Sequence, residues 1–454
     1  MNHYRSRYAT PLFAILIALS SIGSIVSAQE FAGREKLRAL TPEFRKDVIK
    51  VTDGVYVAVG YSLGNSILIE GTDGLIIVDT LSGMDDARAA KAEFDKISRK
   101  PVRAIFYTHF HGDHTGGAAA FAGNDHPDVY AHRLLVERPP DLGRAGRDGG
   151  DQFGNSLPPE LIINTGVGPQ FPRVARGNPA ANRGYIAPTK VLDADRTPLQ
   201  IAGVRIEVVH APGETEDHVY IWLPDKKVLL PGDNFYASFP NIYAIRGTQL
   251  RRADVYVSSL EKLLAQNADY LVPSHSRPII GAANVKAALT AYHDGIKSVL
   301  DQTIAGMRQG LRPDELVEKV KLPPDLAGNR YLQEFYGNVE WSVRAIYTYY
   351  LGWFDGNATD LFPLSLKARS ERILALAGGE AKVLSEAQAA LAKKDFQWAA
   401  ELSDYILANQ PNHREARHVK ATAFTELGER QMTATARNFY LSSAQYLMRD
   451  DSAR

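Results

Sequence analysis

The sequence predicts an α/β layered fold followed by an all-α region, and three observations carry that reading. From Val51 onward, short apolar runs are broken by glycines and by turns such as Thr72-Asp73-Gly74, the pattern of β-strands. These runs alternate with stretches of helical period such as 84–97, as α/β layers require. After about residue 285 long helical periods take over, punctuated by Pro313, Pro323-Pro324 and Pro363. The expected division is 1–28, 29–285 and 286–454, in keeping with a 454-residue chain that is long for one domain. With 45% hydrophobic and 23% charged residues and a formal net charge of zero, nothing basic points to nucleic acid or to an anionic membrane.

Residues 1–28 read as a secretory signal. Arg5 and Arg7 form the positive start, 12–26 the apolar core, and Val26-Ser27-Ala28 the small-residue cleavage site, leaving Gln29 as the mature start. The apolar run is shorter than the roughly 20 residues of a membrane span. The expectation is a periplasmic or secreted protein with no membrane span after signal removal. The chain has no cysteine, so neither a disulfide framework nor a lipid on cysteine is available.

In chain order, 30–50 form a polar arm or short helix, and 54–59, 65–70 and 74–79 form strands, the last ending at Asp79. A strand over 101–108 delivers the stretch Thr108-His109-Phe110-His111-Gly112-Asp113-His114, and 118–121 continue a helix behind it. Residues 137–190 are rich in Gly, Pro and Asn without periodicity, which fits either a roof over a site or a surface excursion. Strand 203–210 follows, then the loop 211–218 ending in His218, a hairpin of 220–223 with 227–230, and Pro231-Gly232-Asp233-Asn234. Strand 268–273 leads into Ser274-His275. Aromatics crowd 331–354, as a helix core, a subunit interface or a substrate-facing wall. Helix pairs fill 380–446, with 389–408 and 416–427 spaced like one tetratricopeptide unit around a break at Gln410-Pro411-Asn412.

His109 and His111 are two apart, so extended backbone points both the same way. Asp113 and His114 follow a glycine where a helix starts and can turn to a second point. One loop therefore offers ligands to two metals. Site one is expected from His109, His111 and His218, and site two from Asp113, His114 and His275, with Asp233 bridging. Asp113 and Asp233 are the candidate catalytic carboxylates. Imidazole and carboxylate without thiolate suit two zinc ions, ahead of iron or manganese. Asp79 and His210 are expected to orient the ligands rather than to ligate. His126, His132, His293, His413 and His418 lack ligand spacing.

The order HxHxDH, His, Asp, His, together with the Val78-Asp79-Thr80 turn, resembles the metallo-β-lactamase superfamily across 50–280, which implies an αββα sandwich. Within it the chain resembles the alkyl sulfatases, through 241–247 (NIYAIRG), 350–357 (YLGWFDGN) and 436–441 (ARNFYL) on to Gln445. The resemblance implies that 286–454 form a helical dimerisation domain, that the protein is a homodimer, and that Asn241 and Arg246 hold a sulfate group. It further implies a metal-dependent hydrolase of sulfate esters. The alternative is a hydrolase of carboxylic esters, lactones, thioesters or phosphoesters on the same metals, or a non-catalytic scaffold. The chain departs from that family in three ways. His218 and Asp233 are read where the sulfatases use glutamate as third ligand and bridge. Ser276-Arg277 replaces His-Trp, and the family's sterol-carrier-like module has no counterpart up to Arg454.

Overall fold

In the computed structural model of the chain, residues 31–138, 150–170 and 182–449 are described. The signal expected over 1–28 and parts of the 137–190 segment lie outside them. Strands β1 (Asp47–Thr52), β2 (Val55–Val59), β3 (Ser66–Glu70), β4 (Leu75–Val78), β5 (Val102–Phe106), β6 (Asp128–His132) and β7 (Lys190–Leu192) form one sheet in chain order. Pairing is antiparallel from β1 to β4 and parallel from β4 to β7. The second sheet runs β13-β12-β11-β10-β9-β8, from β8 (Arg196–Ile201), β9 (Val204–His210), β10 (Val219–Leu223), β11 (Val228–Leu230), β12 (Tyr270–Leu271) and β13 (Ile279–Ile280).

Alternation along the strands decides the layering. Val57, Ile67, Ile76 and Phe106 of the first sheet meet Ile206, Val208, Ile221 and Val228 of the second in a core between the sheets. Residues of opposite parity face outward. Leu68, Ile77 and Ile105 pack on helix Met84–Ile97 through Ala87, Ala90 and Phe94. Tyr220, Trp222 and Leu229 pack under helices Ala253–Leu264 and Ala282–Arg308. Because strands such as β4 and β10 are buried on both faces, they read as unbroken apolar runs rather than as alternation. Each such fully buried aliphatic side chain contributes about 1.5–3 kcal/mol. The result is the αββα sandwich.

The helix behind the histidine stretch is shorter than expected. Gly112–Thr115 and Ala118–Ala122 are separate turns, broken at Gly116-Gly117. A Cβ at Gly116 or Gly117 would lie 2.3 Å from the Ser82 or Thr80 carbonyl, so the glycines let the metal loop pack on the β4 loop. The strand expected over 268–273 is confined to Tyr270–Leu271, and 389–408 divides at Lys393-Lys394-Asp395, where the Asp395 side chain caps helix Phe396–Leu407. Helix Ala282–Arg308 shares the core of the second sheet, whereas helices Leu366–Leu376, Glu380–Ala392, Phe396–Leu407 and Arg414–Arg430 enclose a core of their own. Among the described residues no helix is long and apolar enough to cross a membrane.

At the end of β6 the His132 ring stacks on His210, centroids 3.9 Å apart and 7° from parallel. Burial, then His210 and Arg133, push His132 down to about 4. Unfolded imidazole titrates near 6.5, so the unfolded chain takes up this proton first as pH falls. The contribution is present above pH ~6.5 and lost on the way to pH ~4. His132→Asn keeps an acceptor for the Leu134 amide. It should flatten the dependence of the urea midpoint on pH in that window, and an unchanged slope would count against the stack as its source.

Candidate metal centre

The candidate ligands gather on one rim of the sandwich, because each follows or precedes a strand that ends there. Asp79 follows β4, His109 follows β5, His218 precedes β10, Asp233 follows β11, and His275 lies beyond β12. Two triads of ligand atoms result. His109, His111 and Asp233 form one, and Asp113, His114 and His275 the other, with ligand atoms within 4.8 Å of one another in each. In the first, His109 Nε2 lies 2.8 Å from His111 Nδ1 and 3.7 Å from Asp233 Oδ2. In the second, Asp113 Oδ2 is 3.4 Å from both His114 Nε2 and His275 Nε2. Asp233 Oδ2 also stands 3.3 Å from His114 Nε2 and 3.1 Å from His275 Nε2. It therefore faces both triads.

These residues fit a metal. His114 Nε2 and Asp233 Oδ1 are buried without a hydrogen-bond partner, a costly state for polar atoms unless a cation satisfies them. Ring tautomers are set from behind. Thr108 Oγ1 donates to Asp79 Oδ2 and so accepts from His109 Nδ1, leaving His109 Nε2 as a lone pair. His275 Nδ1 donates to the Leu63 carbonyl at 2.9 Å, and His114 Nδ1 to Asp79 at 2.8 Å. Burial pushes His109 and His111 well below the usual imidazole value, His109 further lowered by His114 and His111 by Arg246. Burial works against charge on His114, but Asp233, Asp113 and Asp79 outweigh it and raise the ring well above that value. Burial also opposes charge on Asp233, yet His114 and His275 hold that carboxylate well below its ordinary range.

His218, expected at site one, sits against the Asp233 turn. Its Nε2 accepts the backbone amide of Asp233 at 3.0 Å, and neither triad includes it. It buttresses the Asp233 turn instead. That approach needs Gly232 at φ 58°, where a Cβ would sit 2.5 Å from His218 Nε2. Glu214 also faces the first triad, and the sequence reading missed it. Its Oε1 lies 3.7 Å from His111 Nδ1, and it is buried against Arg251. Burial, opposed by Arg251, pushes Glu214 up to about 7. Nothing in the spacing marks Glu214 among the three acids of 214–217, because Asn234 fixes its direction by accepting the Glu214 amide and donating to the Ala211 carbonyl. Asn65 was also missed. It donates to the Pro273 and Ser276 carbonyls and so shapes the turn that carries His275.

His210 lies apart from the ligands. Its Nε2 donates to the Glu216 carbonyl and its ring covers His132, so it steadies the 211–218 loop rather than a ligand. Arg246 Nη2 reaches 3.4 Å from His111 Nε2 and lines the cavity over the triads. Asn241 is buried with both side-chain polar atoms unpartnered, and its carbonyl accepts from Arg251. The cavity holds about 250 Å³. Leu63, Phe153, Val167 and Tyr336 form its apolar side, so the described part of the 137–190 segment does roof the site.

Asp79→Ala leaves His114 Nδ1 and the Thr108 and Ser274 hydroxyls without their acceptor. Loss of such an orienting carboxylate costs about 10–100-fold in metal affinity. Competition with a chelator should show that loss, whereas wild-type affinity in the variant would remove Asp79 from this role.

Comparison with known proteins matches two segments of the chain. The Metallo-beta-lactamase superfamily description matches residues 59–275, and the alkyl sulfatase dimerisation description matches 312–450. A linear primary-alkylsulfatase of Pseudomonas sp. (strain ATCC 19151) is 41% identical over 84% of this chain and 73% of its own length. An (R)-specific secondary-alkylsulfatase of Pseudomonas sp. is 30% identical over 88% of this chain and 62% of its own. A solved stereoselective inverting sec-alkylsulfatase from Pseudomonas sp. superposes with a TM-score of 0.81 at 28% identity, covering 88% of this chain and 65% of that one. The chain thus spans less than two thirds of the length of the last two. Two matched segments in the right order, and 41% identity to a relative most of whose length is covered, place the chain in the alkylsulfatase family of the metallo-beta-lactamase superfamily.

Proposed function

We propose that this protein is an exported, homodimeric, dinuclear zinc hydrolase of sulfate esters. The observation that carries the reading is the meeting of two ligand triads at Asp233 directly beside the Arg246 guanidinium. His109, His111 and Asp233 would hold one ion and Asp113, His114 and His275 the other, with Glu214 a further carboxylate at the first. Bound zinc would supply a Lewis acid that acidifies water and polarises a sulfate oxygen.

The chain's own groups account for substrate binding. Arg246 presents a planar fork of donors suited to a multi-oxygen anion. Asn241, buried and absent from the cavity lining, stands behind the cavity floor, where its carbonyl accepts from Arg251. Leu63, Val167 and Tyr336 give an apolar group a dry wall and exclude water from that side. The named activities of the relatives, primary and secondary alkylsulfatases, support the same substrate class. For dimerisation, the support is an exposed apolar run within the matched dimerisation segment, with Trp353 at 72%, Phe362 at 95% and Leu376 at 91% exposure. For export, the support is the composition of 1–28.

Zinc-loaded protein should release inorganic sulfate from dodecyl sulfate, and Asp233→Ala should lose one metal and most of that activity. No release from protein holding two metals would replace this reading with the carboxylic ester, lactone, thioester or phosphoester alternative. Arg246→Ala should weaken turnover of an anionic ester far more than of a neutral one, and equal losses would remove the anion-clamp role. Material recovered from the periplasm should begin at Gln29 and sediment as a dimer. A retained leader or a monomer refutes the corresponding part.

A further inference from the structure

The apolar side of the cavity is not held by the sandwich alone. Its described roof, 150–170, is folded onto the last helix, Ala434–Met448, from the other end of the chain. The Tyr446 hydroxyl donates to Asp151 Oδ1 at 2.6 Å and pairs with Ser156 Oγ at 2.9 Å. Asn438 Nδ2 donates to the Gln152 carbonyl at 3.2 Å, and Arg437 Nη1 to the Leu161 carbonyl at 2.6 Å. These four bonds bracket Phe153, whose carbonyl is tied across the roof to Gln170. The same helix holds the opposite wall. Thr435 Oγ1 donates to the Tyr336 carbonyl at 2.9 Å, and the Ala434 amide to the Phe335 carbonyl at 2.8 Å.

The two walls then meet. The bridge Asn164↔Pro169 closes a tight loop whose Gly166, at φ 83°, lies against the Phe335 carbonyl. Val167 at its tip packs with Tyr236, Tyr336, Leu63 and Phe153 in one cluster over the triads. Leu63 in turn carries the carbonyl that orients His275. The floor of the cavity is charged and the roof apolar, so roof position decides how much of an organic group is covered while the charged floor still takes its anionic head.

We propose that Tyr446 and Asn438 are positioning residues for the cavity roof, so that the carboxyl-terminal helical layer sets which apolar groups the metal centre admits. Neither side chain lines the cavity itself. The inference rests on the reading of the substrate as an anionic head with an apolar group, and it adds where selection for that group is made.

The test measures binding of unreactive alkanesulfonates, from butane- to octanesulfonate, to the full-length zinc-loaded protein and to Tyr446→Phe and Asn438→Ala. Tyr446→Phe keeps the ring and removes only the hydroxyl bonds, which guards against a folding defect. Wild-type affinity should rise by about fourfold per added methylene, as covered methylenes do. In the variants that gain should fall to less than about half, with butanesulfonate affinity within about twofold of wild type and metal content unchanged. Amide exchange over 150–157 should quicken by about tenfold while 102–116 stay protected. A chain-length gradient that is absent in the wild type, unchanged in both variants, or replaced by equal loss at every length overturns the proposal. Sulfonates have no ester bond to cleave, so this outcome is separate from whether sulfate esters are turned over.

Discussion

The buried carboxylate of Asp79 is the constraint on which the site depends. It is fully buried and meets the Thr108 amide, the Thr108 and Ser274 hydroxyls and the His114 ring, all within 2.9 Å. Those partners come from the ends of β5 and β12 and from the turn Gly112–Thr115, so one side chain registers both sheets and the metal loop. Breaking a buried charged network by removing one partner costs about 3–5 kcal/mol, because the remaining groups stay buried and unpaired. The residue is held at φ 58°, a region that aspartate tolerates better than most side chains. This turn of the backbone points the carboxylate back over the strand ends instead of out to solvent.

Around that anchor, the ligands are arranged by groups that do not ligate. Asn65 holds the His275 turn, Asn234 holds Glu214, and His218 holds the amide of Asp233. Each is a buried polar residue whose hydrogen bonds are to backbone, so each fixes a loop at a strand end where no sheet ladder does. The rim can therefore be built from loops and still present ligand atoms within a few ångströms of one another.

The two parts of the chain are joined through the cavity as well as through the core. Helix Ala282–Arg308 extends the core of the second sheet, and the last helix reaches back to both apolar walls of the site. Apolar packing is not directional and does not by itself fix the roof in one position. Directional bonds from Thr435, Arg437, Asn438 and Tyr446 restrict it.

The sequence by itself determined that the candidate ligands stand at strand ends, the His109-to-His114 cluster and the carboxylate at Asp233. Short-range spacing dictates these: extended backbone aligns His109 with His111, and a glycine before Asp113 starts a helical turn. The family resemblance added the αββα sandwich, which periodicity alone left as alternating elements. Only the tertiary structure showed that His218 Nε2 accepts the Asp233 amide while Glu214 Oε1 stands 3.7 Å from His111 Nδ1. They lie four residues apart in one loop, both of ligand type, and their placement rests on Gly232 and Asn234 from another strand end. It also decided that the described part of the irregular segment is a roof, since Phe153 and Val167 become a wall only once Tyr336 and the last helix are packed against them. Contacts between residues nearly 300 positions apart leave no periodic trace in either segment, because each segment satisfies its own local geometry whether or not the other is present.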